Sequence, residues 1–538
     1  MEIITVKNLS FSYNGSAQNV LDNISFGIEK GSFNLVIGRS GCGKSTLLKC
    51  IKQITAPHGT RSGYILYNSK DVTQTDERTL VTDIGYVSQS PDAQIVTDLV
   101  SSELAFGLEN TGLDAREIRS RTAEISYYFG IASWYNKEIS VLSGGQKQLL
   151  NLAAVIAMRP EVLVLDEPTA QLDPVARENF IDTVRKLNKD LGMTVIICEH
   201  NLENVYSAAD RVILMDQGKI ICNDTPQAAA NYMLKNDVTM KASLPSCTQL
   251  CHALFGDREI IMSNALAKEM ISKLRPEILK PRQKEKIKAQ KAFEIKKGYF
   301  RYLRNGRDIL KNISLTGFRG EILALTGANA SGKTTLLSVL CGSLRLYSGK
   351  VSVPDGRVVF MPQNPAGMFL KSSVREDIAY TARLHNKSKD DTYKLLESSD
   401  FYKDIFLSID KNPMDLSGGE MQRLAFFKIM LTDPTIILMD EPTKGLDAKA
   451  KTALADILTG LRKKNICTVL VTHDLEFAAQ CCDRCAMLFD GQIISCEEPS
   501  RFFCDNYYYT TQVNKLVKNI MPDAVTLREV MRRCRKEE

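Results

Sequence analysis

Two stretches of the chain, GRSGCGKST (Gly38–Thr46) and GANASGKTT (Gly327–Thr335), decide how the rest is read. The first lies in FNLVIGRSGCGKSTLLKCI, an apolar run that reads as a buried strand, then a glycine-rich turn, then a helix. That order suits a loop that wraps phosphate. Glycines let backbone N–H groups approach the oxygens, and the helix N-terminus adds its partial positive charge. Lys44 and Lys333 can reach the outer phosphates, and the hydroxyls of Ser45 and Thr334 can serve a magnesium ion. Gly38, Ser40, Gly41, Gly43 and Thr46 complete the first loop; Gly327, Ala330, Gly332 and Thr335 complete the second.

Working outward, everything around the first loop recurs around the second. Tyr13 stands 25 residues before Gly38, and Tyr302 stands 25 before Gly327. LSGGQ begins at Leu142 and LSGGE at Leu416, each with its serine 24 residues ahead of a glutamate, Glu167 or Glu441. His200 and His473 each follow a β-rich run. Shared order and spacing define a tandem duplication. One spacing differs: Lys44 to Gln89 is 45 residues and Lys333 to Gln363 is 30, so the second copy carries a shortened insert there.

VLVLDE and IILMDE read as buried parallel strands whose tips carry two acids into a site. Asp166 and Asp440 would hold magnesium, directly or through water. Glu167 and Glu441 would accept a proton from an attacking water, or orient it.

The set resembles the nucleotide-binding domain of ABC ATPases, over nearly all of both halves, and LSGG is its most specific mark. The resemblance implies an α/β fold of two tandem P-loop NTPase domains. Each would have a mainly parallel core sheet, an antiparallel β subdomain and a helical signature subdomain, and the two would form an intramolecular head-to-tail pseudo-dimer. ATP and Mg2+ are the implied cofactors. One composite site would use Tyr13, Lys44, Ser45, Gln89, Asp166, Glu167 and His200, closed by Ser417, Gly418 and Gly419. The other would use Tyr302, Lys333, Thr334, Gln363, Asp440, Glu441 and His473, closed by Ser143, Gly144 and Gly145. Gln89 and Gln363 would also serve the metal. Tyr13 and Tyr302 would stack on adenine, or else are plain strand residues. Asp173 and Asp447 resemble the aspartates that couple the two sites, and both sites should hydrolyse ATP. Leu149 departs from the basic residue usual in that helix, which Arg423 retains.

Within the family, soluble tandem members that act on ribosomes typically read DEPTNHLD, whereas this chain reads DEPTAQLD and DEPTKGLD. GYVSQSPDAQIVTDLVSSELAFGLEN, with Gln89, Pro91, Asp92 and Gln94, resembles the ATPases of energy-coupling-factor (ECF) transporters instead. MPQNPAGMF with SVREDI is a looser second version, and IICEHNLE and the tail YYYTTQVNKLVKNIMPDAVT are also similar to the fused form. That resemblance implies a transport-coupled ATPase, a translocase subunit peripheral to the cytoplasmic face of the membrane. It would work with a transmembrane coupling subunit and a substrate-binding membrane subunit to import a vitamin, a precursor or a metal ion. Homodimerisation would not be required, and no nucleic acid is expected.

The totals fit this reading. The chain has 538 residues, 44% hydrophobic and 25% charged, enough for several ordinary cores. No apolar run reaches the ~18 residues of a membrane span, and the N-terminus lacks a signal-peptide pattern. The net charge of +6 is concentrated between Lys268 and Lys297, where eleven Lys or Arg face four Glu. Such a stretch can bind an anionic partner or be a solvated linker; the linker reading is preferred because no aromatics are interleaved. The expected domains are 1–232, a basic connector 233–292 in which Pro245, Pro276 and Pro281 interrupt helices, 293–499, and a helical C-terminal extension 500–538. The fourteen cysteines read as reduced thiols. Cys481, Cys482 and Cys485 replace the small apolar Ala208, Ala209 and Val212 of the first half, which points to core packing. Cys42, beside Lys44 at a helix N-terminus, is expected either to be an acidified, reactive thiol or to be an inert filler.

Overall fold

Uninterrupted aliphatic runs form the centre of each half, because strands covered by helices on both faces need apolar residues at every position. The computed structural model describes residues 1–15, 18–236, 238–256, 260–274, 290–354, 356–399 and 401–534. The chain packs as two units, 1–249 and 250–538. Pro276, Pro281 and the middle of the basic stretch lie outside the described residues.

Unit 1 contains β1 (Glu2–Tyr13), β2 (Leu21–Glu29), β3 (Phe33–Gly38), β4 (Gly59–Tyr67), β5 (Lys70–Asp71), β6 (Ile84–Val87), β7 (Val162–Asp166), β8 (Thr194–Cys198), β9 (Arg211–Asp216) and β10 (Lys219–Asp224). Six of them form a sheet in the order β10-β9-β3-β8-β7-β6, parallel except for the edge pair β9–β10. Every residue of β7 and β8 is buried. A separate antiparallel sheet runs β2-β1-β4-β5. Helices Val100–Asn110, Ala115–Tyr128 and Gly144–Ala157 pack together as the helical part.

Unit 2 repeats the plan with β11 (Lys291–Phe300), β12 (Leu310–Phe318), β13 (Ile322–Thr326), β14 (Ser348–Ser352), β15 (Val358–Met361), β16 (Ile436–Asp440), β17 (Cys467–Val471), β18 (Arg484–Phe489) and β19 (Gln492–Glu497). The order β15-β16-β17-β13-β18-β19 mirrors unit 1 strand for strand. The antiparallel sheet is smaller, β12-β11-β14. This is where the shortened insert goes: unit 1 uses its extra residues for a longer β4, β5 and the helix Glu77–Asp83, and unit 2 passes from β14 straight to β15.

In both units the phosphate loop, the paired acids and the histidine follow three adjacent strands, β3-β7-β8 or β13-β16-β17. They therefore meet at one sheet edge, as open α/β sheets arrange their sites. The segment after Gln89 is held to the signature helix by Lys147 to Asp92 (2.6 Å) and Gln148 Nε2 to Ser88 O (3.1 Å). Glu103, buried, accepts from Val96 N (3.1 Å) and Thr97 N (2.9 Å) and fixes the same segment from below. Unit 2 uses Asp377 there. It is fully buried, accepts from Leu370 N (2.9 Å), and pairs with Lys428, which also donates to Met368 O (2.7 Å).

The C-terminal extension is helical: Pro499–Asp505, Gln512–Val517 and Leu527–Cys534. Asn514, buried, donates Nδ2 to Pro522 O (2.8 Å) and Ala524 O (3.0 Å) and accepts from Thr510 (3.0 Å), tying the extension into one piece. Helix Asn264–Ser272, within the stretch read as a connector, packs on Gln512–Val517. Pro245 begins helix Ser246–Phe255, its carbonyl accepting from Gln249 N (3.0 Å). Cys481, Cys482 and Cys485 are free thiols buried in the core of unit 2.

Lys428→Met leaves Asp377 as an uncompensated buried charge and should cost about 3–5 kcal/mol. Chemical denaturation should show this as a lowered midpoint for unit 2, and adding Asp377→Leu should recover most of it.

Candidate functional site

The phosphate loop of unit 1 folds because Gly38 has no side chain: a Cβ there would lie 2.3 Å from Met215 O. Gly327 is crowded in the same way by Leu488 O, at 2.2 Å. Behind each loop a helix begins at the lysine, Lys44–Ile51 or Lys333–Leu340. Lys44 Nζ donates to Gly38 O (3.0 Å) and Arg39 O (2.9 Å); Lys333 Nζ donates to Gly327 O (2.9 Å) and Ala328 O (2.7 Å). Both ammoniums are thus parked against the loop's own carbonyls. Ser40 and Gly41 are exposed on the loop, while Gly43, Gly332 and the two lysines are buried. Ala330 takes the left-handed backbone (φ 60) that Gly41 takes in unit 1 (φ 79), at a steric cost glycine avoids.

The strand tips supply the acids. Ser45 Oγ donates to Asp166 Oδ1 (2.9 Å), and Thr334 Oγ1 donates to Asp440 Oδ2 (2.6 Å). Burial raises the pKa of both aspartates from its ordinary value. Tyr86 OH also donates to Asp166 Oδ2 (3.1 Å). Among the described residues no cluster of three His, Cys, Asp or Glu side chains could hold a metal alone. The donors are one hydroxyl and one carboxylate per unit, which suits Mg2+, an ion that completes its shell with phosphate oxygens and water.

Glu167 (φ 47) and Glu441 (φ 54) both sit in the left-handed region, uncommon for residues with a Cβ, and their N–H groups bond Cys198 O (3.0 Å) and Val471 O (2.9 Å). Strain repeated at equivalent acids marks a functional position. In unit 1, Glu167 accepts from Gln89 Nε2 (2.9 Å) and lies 2.9 Å from His200 Nε2. Unit 2 differs. His473 Nε2 is 2.9 Å from Asn329 Oδ1 and 3.5 Å from Glu441, and Gln363 is exposed with no hydrogen bond to Glu441. Burial, with Asp440 alongside, raises the Glu441 pKa.

The other predicted residues carry structural duties of their own. Tyr13 OH bonds Thr46 Oγ1 (2.9 Å) and Tyr302 OH bonds Thr335 Oγ1 (3.1 Å); both rings remain exposed. Ser143 and Ser417 are helix N-caps in reciprocal capping boxes with Gln146 and Glu420. The S-x-x-Q and S-x-x-E spacing announces that in the sequence. A Cβ on Gly144 or Gly418 would meet nothing within 4 Å. Asp173 and Asp447 cap helices Pro174–Leu191 and Ala448–Lys463 through Ala176 N (2.9 Å) and Ala450 N (2.8 Å). The sequence reading missed Glu199, a buried acid beside His200.

The acidified-thiol expectation for Cys42 is overturned. The side chain is 4% exposed, and burial raises its pKa by more than Lys44 lowers it. The filler reading stands.

The ABC transporter family model matches residues 21–170 and 310–444, together more than half of the chain. The chain belongs to this family, whose members bind and hydrolyse ATP, and it carries the ATP-binding domain twice. A relative from Bacillus anthracis, provisionally named an ABC transporter ATP-binding protein, is 34% identical over 99% of this chain and 98% of its own length. YkoD of Bacillus subtilis, provisionally named an HMP/thiamine import ATP-binding protein, is 29% identical over 93% of this chain and 92% of its own. An archaeal ribosome recycling factor, solved with the ribosomal stalk protein aP1, shares the fold with a TM-score of 0.58, at 20% identity over 93% of this chain and 92% of its own. No described helix is long and apolar enough to cross a membrane.

Cys42 should therefore alkylate slowly near pH 7.5, at least about tenfold below a free thiol. Peptide mass spectrometry of an iodoacetamide time course measures this, and the half-buried Cys222, Cys341, Cys496, Cys504 and Cys534 should label first.

Proposed function

We propose that this chain is the ATP-hydrolysing subunit of an ECF-type import complex, peripheral to the membrane. It would couple ATP binding and hydrolysis to movement of a transmembrane partner, with a substrate-binding membrane subunit choosing the vitamin, precursor or metal ion. The observation that carries the reading is the full-length similarity to a protein named for HMP/thiamine import, joined to two complete sets of site residues. The likeness to the ribosome recycling factor extends to fold alone, at 20% identity.

In this reading each ATP lies on one unit's phosphate loop and is closed by the signature helix of the other. Lys44 and Lys333 exchange loop carbonyls for phosphate oxygens. Ser45 with Asp166, and Thr334 with Asp440, would hold Mg2+, with Gln89 and Gln363 near it. When bound, the ion would supply neutralisation of phosphate charge. Glu167 and Glu441 accept the proton of the attacking water, and His200 and His473 hold the γ-phosphate in register. The bare ends at Gly144 and Gly418 leave room for a phosphate to approach a helix N-terminus. Tyr13 and Tyr302 offer exposed rings to adenine. Both sites sit in one chain, so turnover needs no homodimer.

Ser143→Arg should silence the site built on Lys333, and Ser417→Arg the site built on Lys44. Each should reduce kcat by ~10²-fold or more at that site, read by ATPase assay in the background where the other base is Gln. Co-expression with candidate membrane proteins should retain a polytopic partner in detergent, and mutation of the Gln89 and Gln363 segments should release it. Sedimentation with ribosomes and no membrane partner would overturn the transport reading and leave the ATPase standing.

A further inference from the structure

The acid that accompanies the site histidine lies on opposite sides of it in the two units. Unit 2 reads Thr472-His473-Asp474; unit 1 reads Glu199-His200-Asn201. In unit 2, Asp474 follows the histidine and caps the next helix through Phe477 N (3.0 Å). It also pairs with Lys451 Nζ (2.6 Å) on helix Ala448–Lys463. The residue before the histidine, Thr472, carries no charge; its hydroxyl meets that of Thr443 (3.3 Å), the threonine of DEPT, and accepts from Asp474 N (3.0 Å).

In unit 1 the acid comes first. Glu199 is 4% exposed and accepts Thr169 N at 3.0 Å, so it grips the turn that follows Glu167 by its backbone. Thr169 is again the threonine of DEPT. The cation is Arg177, four residues after Asp173 as Lys451 is four after Asp447. Its Nε is buried without a hydrogen-bond partner, and its charge favours ionised Glu199. Burial pushes Glu199 up to about 7; the Thr169 bond and Arg177 oppose that, and Glu167 adds to it. An acid kept in so costly a place calls for a role, and here it bonds the turn after Glu167, directly precedes the histidine in the chain, and feels the charge of Arg177 on the helix after Asp173.

We propose that Glu199 is a positioning residue of the first ATP site, holding the Glu167–Thr169 turn in register with His200, and that in the second site Asp474, by capping the helix after His473 and pairing with Lys451, holds that histidine from its other side. The proposal rests on Glu167 and Glu441 being the two bases. Neither acid touches nucleotide: Glu199 acts through the backbone beside Glu167 and His200, and Asp474 through the helix that follows His473 and through Lys451.

The test is steady-state ATPase of the full chain carrying Glu441→Gln, in which turnover reports the site of Glu167. Glu199→Thr, which installs the residue of the second site, should lower kcat about tenfold or more with KM for ATP unchanged. Adding Asn201→Asp should restore most of the loss, because the acid then approaches from the side used in unit 2. If Glu199→Thr also lowers the melting temperature, Glu199→Leu with and without Asn201→Asp takes its place under the same requirement. An unchanged kcat, or a loss that Asn201→Asp does not recover, overturns the proposal. Turnover persisting in Glu167→Gln/Glu441→Gln would instead overturn the assignment of the bases, so the two failures are distinct.

Discussion

A single hydroxyl–carboxylate bond, Ser45 to Asp166 in unit 1 and Thr334 to Asp440 in unit 2, ties the first turn of the phosphate-loop helix to the tip of a buried strand. Both aspartates are nearly excluded from water, and burial makes their ionised forms costly. A buried carboxylate is kept where something offsets it, and here neutral hydroxyls, two at Asp166 and one at Asp440, do so only in part. In the proposed site a cation would relieve the remaining cost, so the same two groups that tie the loop to the strand tip would also serve Mg2+ with phosphate.

The parked lysines belong to the same economy of charge. Each ammonium is satisfied by two loop carbonyls, so in the proposed site a phosphate would replace contacts already made. Binding then draws its free energy from the difference between a neutral and an anionic acceptor. The left-handed glutamates add a second constraint. Their N–H groups are held by the strand that carries the histidine, so base and histidine cannot drift independently.

The two units share this frame and depart from each other around it. Unit 1 has Glu167 touching both Gln89 and His200, while unit 2 has His473 drawn toward Asn329 of its phosphate loop. Ser40 stands where Asn329 stands, too short to do the same. Equal motifs therefore do not enforce equal sites: one amide in place of one hydroxyl rearranges the donors around the base.

The sequence by itself determined the duplication, the phosphate loops and the paired acids. Those features are local: a glycine turn between strand and helix, or an apolar run ending in two carboxylates, keeps its meaning wherever it is placed. The unequal insert was also legible, as a difference in spacing, and became a longer β4, one extra short strand and a helix. The capping boxes were legible too, although the serines drew attention for a different reason. Only the tertiary structure decided the fate of Cys42 and Glu199. Whether a thiol beside a lysine is acidified depends on how much protein closes over it, and Met215, from a strand some 170 residues away, crowds that loop. Glu199 became a positioning residue because adjacent strands bring Thr169 to it, a neighbour that no local pattern in the chain could name.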